Sequence, residues 1–136
     1  MTLQDYQPIV DCVLGHFNVH PDSLKVNVKD VKYGGRTGWR YRGGRTLFYI
    51  TLPKWLENYD EQYATYYAIH EACHVVTRLK SMRRGPHCEN FKRIEDEALA
   101  LYGIKIVRKK AYAKELYANG QQVYNIVRKK QRFLKV

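Results

Sequence analysis

The feature that most constrains the fold of this 136-residue chain is the pentapeptide His70-Glu71-Ala72-Cys73-His74. Its two histidines are four residues apart, so they converge on one point only if the segment is helical. On a helix, residues i and i+4 lie about one turn apart on one face, and Glu71 projects beside them. Apolar residues at helical spacing accompany the motif, namely Tyr66, Ile69, Cys73 and Val76. The pattern therefore predicts a helix that carries a divalent metal site.

The two histidines leave a third metal ligand to be found, because a catalytic zinc site usually has three protein ligands and an open fourth position. His87 is one candidate, since it begins the next predicted helix after a loop that could fold it back. A carboxylate is the other, since Glu95, Asp96 and Glu97 lie farther along that helix. Spacing alone leaves these alternatives open.

The sequence around the motif resembles the SprT-like zinc metallopeptidases, over about residues 1–103. The resemblance is carried by Ile69–Val76, which contains the HExxH pattern, and by Gly85–Lys92, in which a histidine is followed by a phenylalanine. Two departures are visible. Cys88 stands where the family often has glycine, and no cysteine follows it to form the zinc ribbon that ends many members.

This resemblance implies both a fold and an activity. The fold would be an α+β, zincin-like single domain, with a small mainly antiparallel sheet packed on the active-site helix and the following helix. The activity would be peptide hydrolysis by a metal-activated water, with one Zn²⁺ held by His70, His74 and His87 and with Glu71 as general base. The substrate would be a protein or peptide.

The segments before the motif contain a helix and three strands. A three- and four-residue apolar period over residues 3–17 predicts the helix, and alternation over Leu24–Val28 predicts the first strand. Two glycines between Arg36–Arg42 and Arg45–Leu52 predict a β-hairpin. If the second of these strands borders the active site, it could bind a substrate peptide as an added strand.

Two helices are predicted in the second half of the 1–103 segment. The first begins after the capping candidates at 58–60 and reaches about Lys80, so it contains the motif. The second has Phe91 on its apolar face and ends at Gly103. Beyond that glycine, Leu116–Tyr124 fits a hairpin, whereas Ala111–Ala118 also fits a helix; we favour the hairpin.

Positive charge is concentrated at the C-terminal end. The chain has a net charge of +11, and residues 104–136 hold ten Lys and Arg against the one acid Glu115. We therefore divide the chain into a metallopeptidase domain, residues 1–103, and a basic C-terminal extension, residues 104–136, that packs on the domain or trails from it. Cations interspersed with aromatic rings are typical of nucleic-acid contact. The candidate residues are Arg108, Lys109, Lys110, Arg128, Lys129, Lys130 and Arg132.

Two other functions compete with proteolysis. One is a nucleic-acid-binding protein, with DNA as the first candidate, in which the zinc is structural or the site is inactive. The other is a basic adaptor in which the HExxH pattern arose by chance. No export signal or membrane-length apolar run is visible, and three cysteines cannot all pair in one chain. These features predict a cytoplasmic protein with free thiols and no membrane partner.

Overall fold

The HExxH motif lies in the second half of α2, the longest helix, which runs from Glu61 to Leu79. The computed structural model describes residues 3–80, 89–110, 113–127 and 132–135. Within them, α1 spans Leu3–His16 and α3 spans Glu89–Ala100, and both pack against α2. The three predicted helices are thus confirmed, and the described residues form an α+β fold of three helices and two small sheets.

The first sheet holds β1 (Ser23–Lys29), β2 (Arg36–Arg42) and β3 (Arg45–Pro53) in the order β1-β3-β2. The predicted hairpin is confirmed, since β2 and β3 are antiparallel and Gly43 and Gly44 both have positive φ at the turn. β1 runs parallel to β3, so this sheet is mixed. Because β3 is paired along both edges, the prediction that it binds a substrate strand is wrong.

The two faces of the first sheet differ because side chains alternate along each strand. Val26 of β1 and Ile50 of β3 are register partners, and Phe48 lies two residues before Ile50 on the same face of β3. All three side chains are buried in the core. The helices α1 and α2 contact this sheet and share the same core. The opposite face, which we call the outer face, is formed by the alternate residues of the three strands.

The second sheet holds β4 (Ile104–Lys110), β5 (Ala113–Ala118), β6 (Gln121–Val127) and β7 (Arg132–Lys135) in sequence order, and every pair is antiparallel. β5 and β6 form the predicted hairpin, so the alternative helix over this segment is wrong. Asn119 and Gly120 both have positive φ, as a two-residue hairpin turn requires.

The second sheet is joined to the rest of the fold by its apolar residues. Ile104, Ile106 and Leu116 are buried in the same hydrophobic cluster as α2. The described part of 104–136 is therefore a sheet that contributes to the core, and its role as a basic C-terminal extension stays a prediction. The domain boundary at residue 103 and the zincin-like arrangement stay predictions. Among the described helices, none combines the length and apolar character needed to cross a membrane.

Candidate metal centre

The side chains of His70, Glu71 and His74 converge on α2. One possible ligand atom from each residue lies within 4.8 Å of the others, and the two imidazole centroids are 5.0 Å apart. Glu71 is buried, whereas both histidines are half-buried and so retain access to solvent. The predicted convergence of these three residues is confirmed, and the cluster could bind a metal ion.

The ring of Phe91, which α3 contributes, packs against both imidazoles. It is nearly parallel to His74 at a centroid distance of 4.5 Å and nearly perpendicular to His70 at 5.1 Å. Phe91 itself is almost completely buried. Because α3 packs against α2, this ring restricts the rotamers available to the two histidines, which would hold them in position for an ion.

The buried carboxylate of Glu95, also on α3, accepts a hydrogen bond from Nδ1 of His70. With the proton on Nδ1, Nε2 of the same ring carries the lone pair that a metal ion needs. A carboxylate behind the imidazole is the usual partner of a metal-binding histidine, since it fixes the tautomer and raises the basicity of the ligand nitrogen. The donor chemistry of the cluster therefore fits a metal ion.

Arg108 of β4 connects this carboxylate to the second sheet. Its guanidinium donates to Oε1 of Glu95 at 2.7 Å and to Oδ1 of Asp96 at 3.0 Å. Burial alone would raise the pKa of Glu95, but the neighbouring His70, Lys114 and Arg108 lower it to about 2. Glu95 is thus an ionised carboxylate at neutral pH, with Arg108 as its cationic partner and His70 as a hydrogen-bond donor on the other side.

The carboxylate alternatives for the third ligand are now accounted for. Glu95 lies on the Nδ1 side of His70, Asp96 pairs with Arg108, and Glu97 lies 2.8 Å from Nε2 of His16. None of these three acids belongs to the described cluster of His70, Glu71 and His74. His87 lies outside the described residues, so its role as the third ligand stays a prediction.

Glu71 is positioned from the first sheet by Thr37 of β2. The Thr37 hydroxyl is 2.8 Å from Oε1 of Glu71 and 3.0 Å from the backbone oxygen of the same residue. It donates a bifurcated hydrogen bond to these two oxygens. Burial raises the pKa of Glu71, although the neighbouring His70 and the hydrogen bond from Thr37 oppose that increase. A buried carboxylate with a raised pKa beside a metal cluster is suited to accept a proton.

Tyr66 lies one turn before His70 on α2, and its ring is 5.8 Å from that imidazole. Its hydroxyl accepts a hydrogen bond from Nζ of Lys114 at 3.3 Å. Burial is the main reason that the pKa of Tyr66 is well above its usual value, so the phenol stays protonated at neutral pH. The sequence alone did not indicate which of the 12 tyrosines lies at this site.

Some of the C-terminal residues that are predicted to contact nucleic acid form ion pairs with carboxylates of the chain itself. Arg108 is bound to two carboxylates, and Nζ of Lys109 is 3.1 Å from Glu115. Lys110 and Arg132 lie in β4 and β7, but the described part of the structure does not include their side chains. The segment 128–130 lies outside the described residues. Nucleic-acid binding by this set therefore stays a prediction.

Sequence reasoning missed the support that surrounds the cluster. The sequence indicates Glu95 as a possible ligand, but it groups Arg108 with the nucleic-acid candidates and contains no signal for Thr37. The available signal was the position of Glu95 one helical turn after Phe91, on the same apolar face of α3.

No family model, curated protein or solved structure matches the chain.

Proposed function

We propose that this protein is a zinc-dependent metallopeptidase of the SprT-like kind, with His70 and His74 as metal ligands and Glu71 as general base. The observation that carries the proposal is the His70–Glu71–His74 cluster, whose first histidine donates its Nδ1 proton to the buried Glu95. His87 is the proposed third ligand, on the basis of the sequence resemblance.

The burial of charge behind the cluster supports metal binding. Glu95 is only 1% exposed, and an ionised carboxylate is removed from water at a large free-energy cost unless it is paired. Its partners are Arg108 and His70, so the carboxylate fixes the orientation and the tautomer of the His70 ring. Zinc suits imidazole ligands of this kind, and a site with three protein ligands keeps one position open.

In catalysis, zinc would supply a Lewis acid that polarises the peptide carbonyl and lowers the pKa of a water molecule. Glu71 would accept a proton from the attacking water and deliver it to the leaving amine. Thr37 would hold the carboxylate in place through its hydrogen bond to Oε1. Phe91 and Glu95 would keep the imidazoles oriented throughout.

The free edge of β2 is the proposed position for the substrate backbone. Among the described strands β2 pairs only with β3, and Thr37 brings this strand into contact with Glu71. A peptide that extended the sheet along β2 would receive backbone hydrogen bonds beside the proposed general base. The substrate would therefore be bound in an extended conformation and with limited dependence on its side chains.

Metal analysis of the purified protein tests the first part of the proposal. We expect about one zinc per chain in the unmodified protein and little in a His74→Ala variant. A site that keeps only two of its three protein ligands binds zinc far more weakly. His20→Ala is the matched control, since that histidine contacts Asn18 rather than the cluster. Equal zinc content in the His74→Ala variant and the control would exclude the assigned site.

Cleavage of fluorescein-labelled casein by the zinc-loaded protein tests the second part. Glu71→Gln should retain zinc and lose about 10²–10⁴ in rate, the usual contribution of a general base. Glu61→Gln is the control, because Glu61 is an exposed residue in the first turn of the same helix. Zinc binding with no cleavage by the unmodified protein would instead favour a structural or inactive zinc site.

A further inference from the structure

The outer face of the first sheet carries a concentrated positive charge that the sequence balance conceals. Side chains on this face come from alternate positions of the three strands. Six of them are exposed cations: Lys25, Lys29, Arg36, Arg40, Arg42 and Arg45. Residues 23–53 contain one acid, Asp30, which lies just beyond the end of β1. Residues 1–103 hold 14 Lys and Arg against 12 acids, so folding gathers onto one surface the cations of a region whose net charge is only +2.

The cations of the outer face are not balanced within the described structure. None of the six forms an ion pair with a carboxylate among the described residues. Arg45 donates to the backbone oxygen of Asp22, and Arg36 lies over the ring of Tyr33. Arg42 and Arg45 are direct register partners across the β2–β3 hairpin. Like charges in that arrangement destabilise a sheet, and an anion bound between them would remove the repulsion.

An aromatic ring lies in the middle of these cations. Tyr49 of β3 is the register partner of Gly38 on β2, and both belong to the outer face. A Cβ at position 38 would lie 2.2 Å from the Tyr49 hydroxyl and 2.3 Å from Cζ. The absent side chain of Gly38 therefore leaves room for the Tyr49 ring to lie across the neighbouring strand. Lys25, on the other side, is the register partner of the same tyrosine.

We propose that the outer face of the first sheet binds single-stranded nucleic acid, with its cations on the phosphates and the Tyr49 ring against a base. Phosphate contacts by Lys and Arg supply most of non-specific affinity, and base stacking on an aromatic ring adds to it without sequence preference. A sheet with both features is suited to an unpaired strand, because only unpaired bases can stack on a side chain.

An anionic membrane is the rival occupant, and the composition of the face argues against it. A surface that inserts into a membrane interface needs large exposed apolar side chains beside its cations. The exposed aromatic residues of the first sheet, Trp39 and Tyr41, belong to alternate positions that face the helix side. On the outer face, Leu47 and Tyr49 are both half-buried. The proposal is independent of the metal centre, because no residue of the outer face belongs to it.

The electrostatic part is tested by fluorescence anisotropy with a short labelled oligothymidylate over a series of NaCl concentrations. The double variant Arg40→Gln/Arg42→Gln should reduce the slope of log affinity against log salt by about 1.4, since each lost phosphate contact removes about 0.7. The control Lys80→Gln/Arg93→Gln removes the same charge outside the face and should leave the slope unchanged. Equal changes in the two double variants would overturn the proposal.

A third double variant separates the outer face from the C-terminal sheet. Lys105→Gln/Lys109→Gln removes two cations from β4, and it should leave the affinity close to that of the unmodified protein. Loss of binding in this variant, together with full binding by Arg40→Gln/Arg42→Gln, would overturn the proposal and support the C-terminal site. Binding to phosphatidylserine vesicles without any binding to the oligonucleotide would overturn it as well.

The stacking part is tested by two substitutions at one position. Tyr49→Leu should weaken binding about tenfold, because it removes the ring and retains an apolar side chain of moderate size. Tyr49→Phe should bind like the unmodified protein, since the ring is preserved. Thermal unfolding, monitored by circular dichroism, checks that both variants are folded. Equal affinity of the Leu and Phe variants would remove the stacking contact from the proposal.

Discussion

Beside His70 a buried carboxylate, Glu95, is paired with Arg108, whereas on the outer face of the first sheet the charged groups are exposed and share one sign. The difference follows from whether water can solvate the charged groups. A buried carboxylate such as Glu95 must be paired, so Arg108 and His70 lie against it. The exposed Arg40 and Arg42 need no partner within the chain, because water solvates them.

This contrast separates two uses of charge. At the candidate metal centre, charge positions side chains and contributes to the free energy of unfolding. On the outer face, charge contributes little to stability and is available to a ligand. The same formal charge on Arg108 and Arg40 therefore has different consequences, and substitutions at the two sites are expected to differ in size and in the property they change.

The largest expected difference is in stability. Glu95→Ala should lower the free energy of unfolding by about 3–5 kcal/mol, since it removes one partner of a buried charge pair. Arg40→Ala should change it by less than about 0.5 kcal/mol, as exposed substitutions usually do. Urea denaturation of the two metal-free proteins provides the measurement. Similar small changes in both variants would contradict the distinction drawn between the two regions.

The second prediction concerns acid stability. The pKa of Glu95 is about 2 in the folded protein against an ordinary value of 4.5, so ionised Glu95 stabilises the fold above pH 4.5. This contribution, about 3 kcal/mol, is lost as the pH falls from there towards 2. Metal-free Glu95→Gln should lack that part of the pH dependence in urea titrations. Identical acid profiles would show that the carboxylate is not stabilised by its partners.

The third prediction concerns zinc affinity. Glu95→Gln should weaken zinc binding about 10–100-fold, because the charge behind His70 is lost while the ligand itself remains. Arg40→Gln should leave the affinity unchanged, since that residue is remote from the cluster. Competition with a chromogenic chelator gives both values. An unchanged affinity in Glu95→Gln would mean that His70 does not depend on this carboxylate for its orientation.

The smallest effect is expected at the hairpin of the outer face. Arg42→Glu should raise the free energy of unfolding by about 0.2–1 kcal/mol at low salt, because it replaces a like-charge pair with an opposite pair beside Arg45. High salt should abolish the gain, as exposed pairs are screened. Arg93→Glu is the control at a site outside this sheet. A gain that persists in high salt would point to a cause other than charge.

Local pattern was a good guide to the elements themselves. The three helices, the β2–β3 hairpin and the hairpin around Asn119 follow the periods and turn residues of the sequence. The other hydrogen-bonded neighbour of β3, the strand β1, was not predictable in the same way. The pairing of β3 with β1 joins residues separated by the whole of β2, and no local signal specifies the order of strands in a sheet.

The candidate site likewise has features that local sequence determines and features that depend on tertiary packing. His70, Glu71 and His74 lie within five consecutive residues, so helical geometry alone determines that they converge. The hydrogen bonds that Glu95 and Thr37 make with them join separate elements, and they depend on how α3 and β2 pack against α2. For that reason the sequence indicated Glu95 as a possible ligand, whereas the packing placed its carboxylate against Nδ1 of His70.

The sequence by itself determined the helical HExxH motif, the apolar faces of the helices and strands, and the two glycine-containing turns, because each depends on residues close together in the chain. Tertiary structure alone decided which charges are buried in pairs and which collect on the outer face. Charges on different elements come together only when the apolar faces pack, and burial then requires a partner where exposure does not.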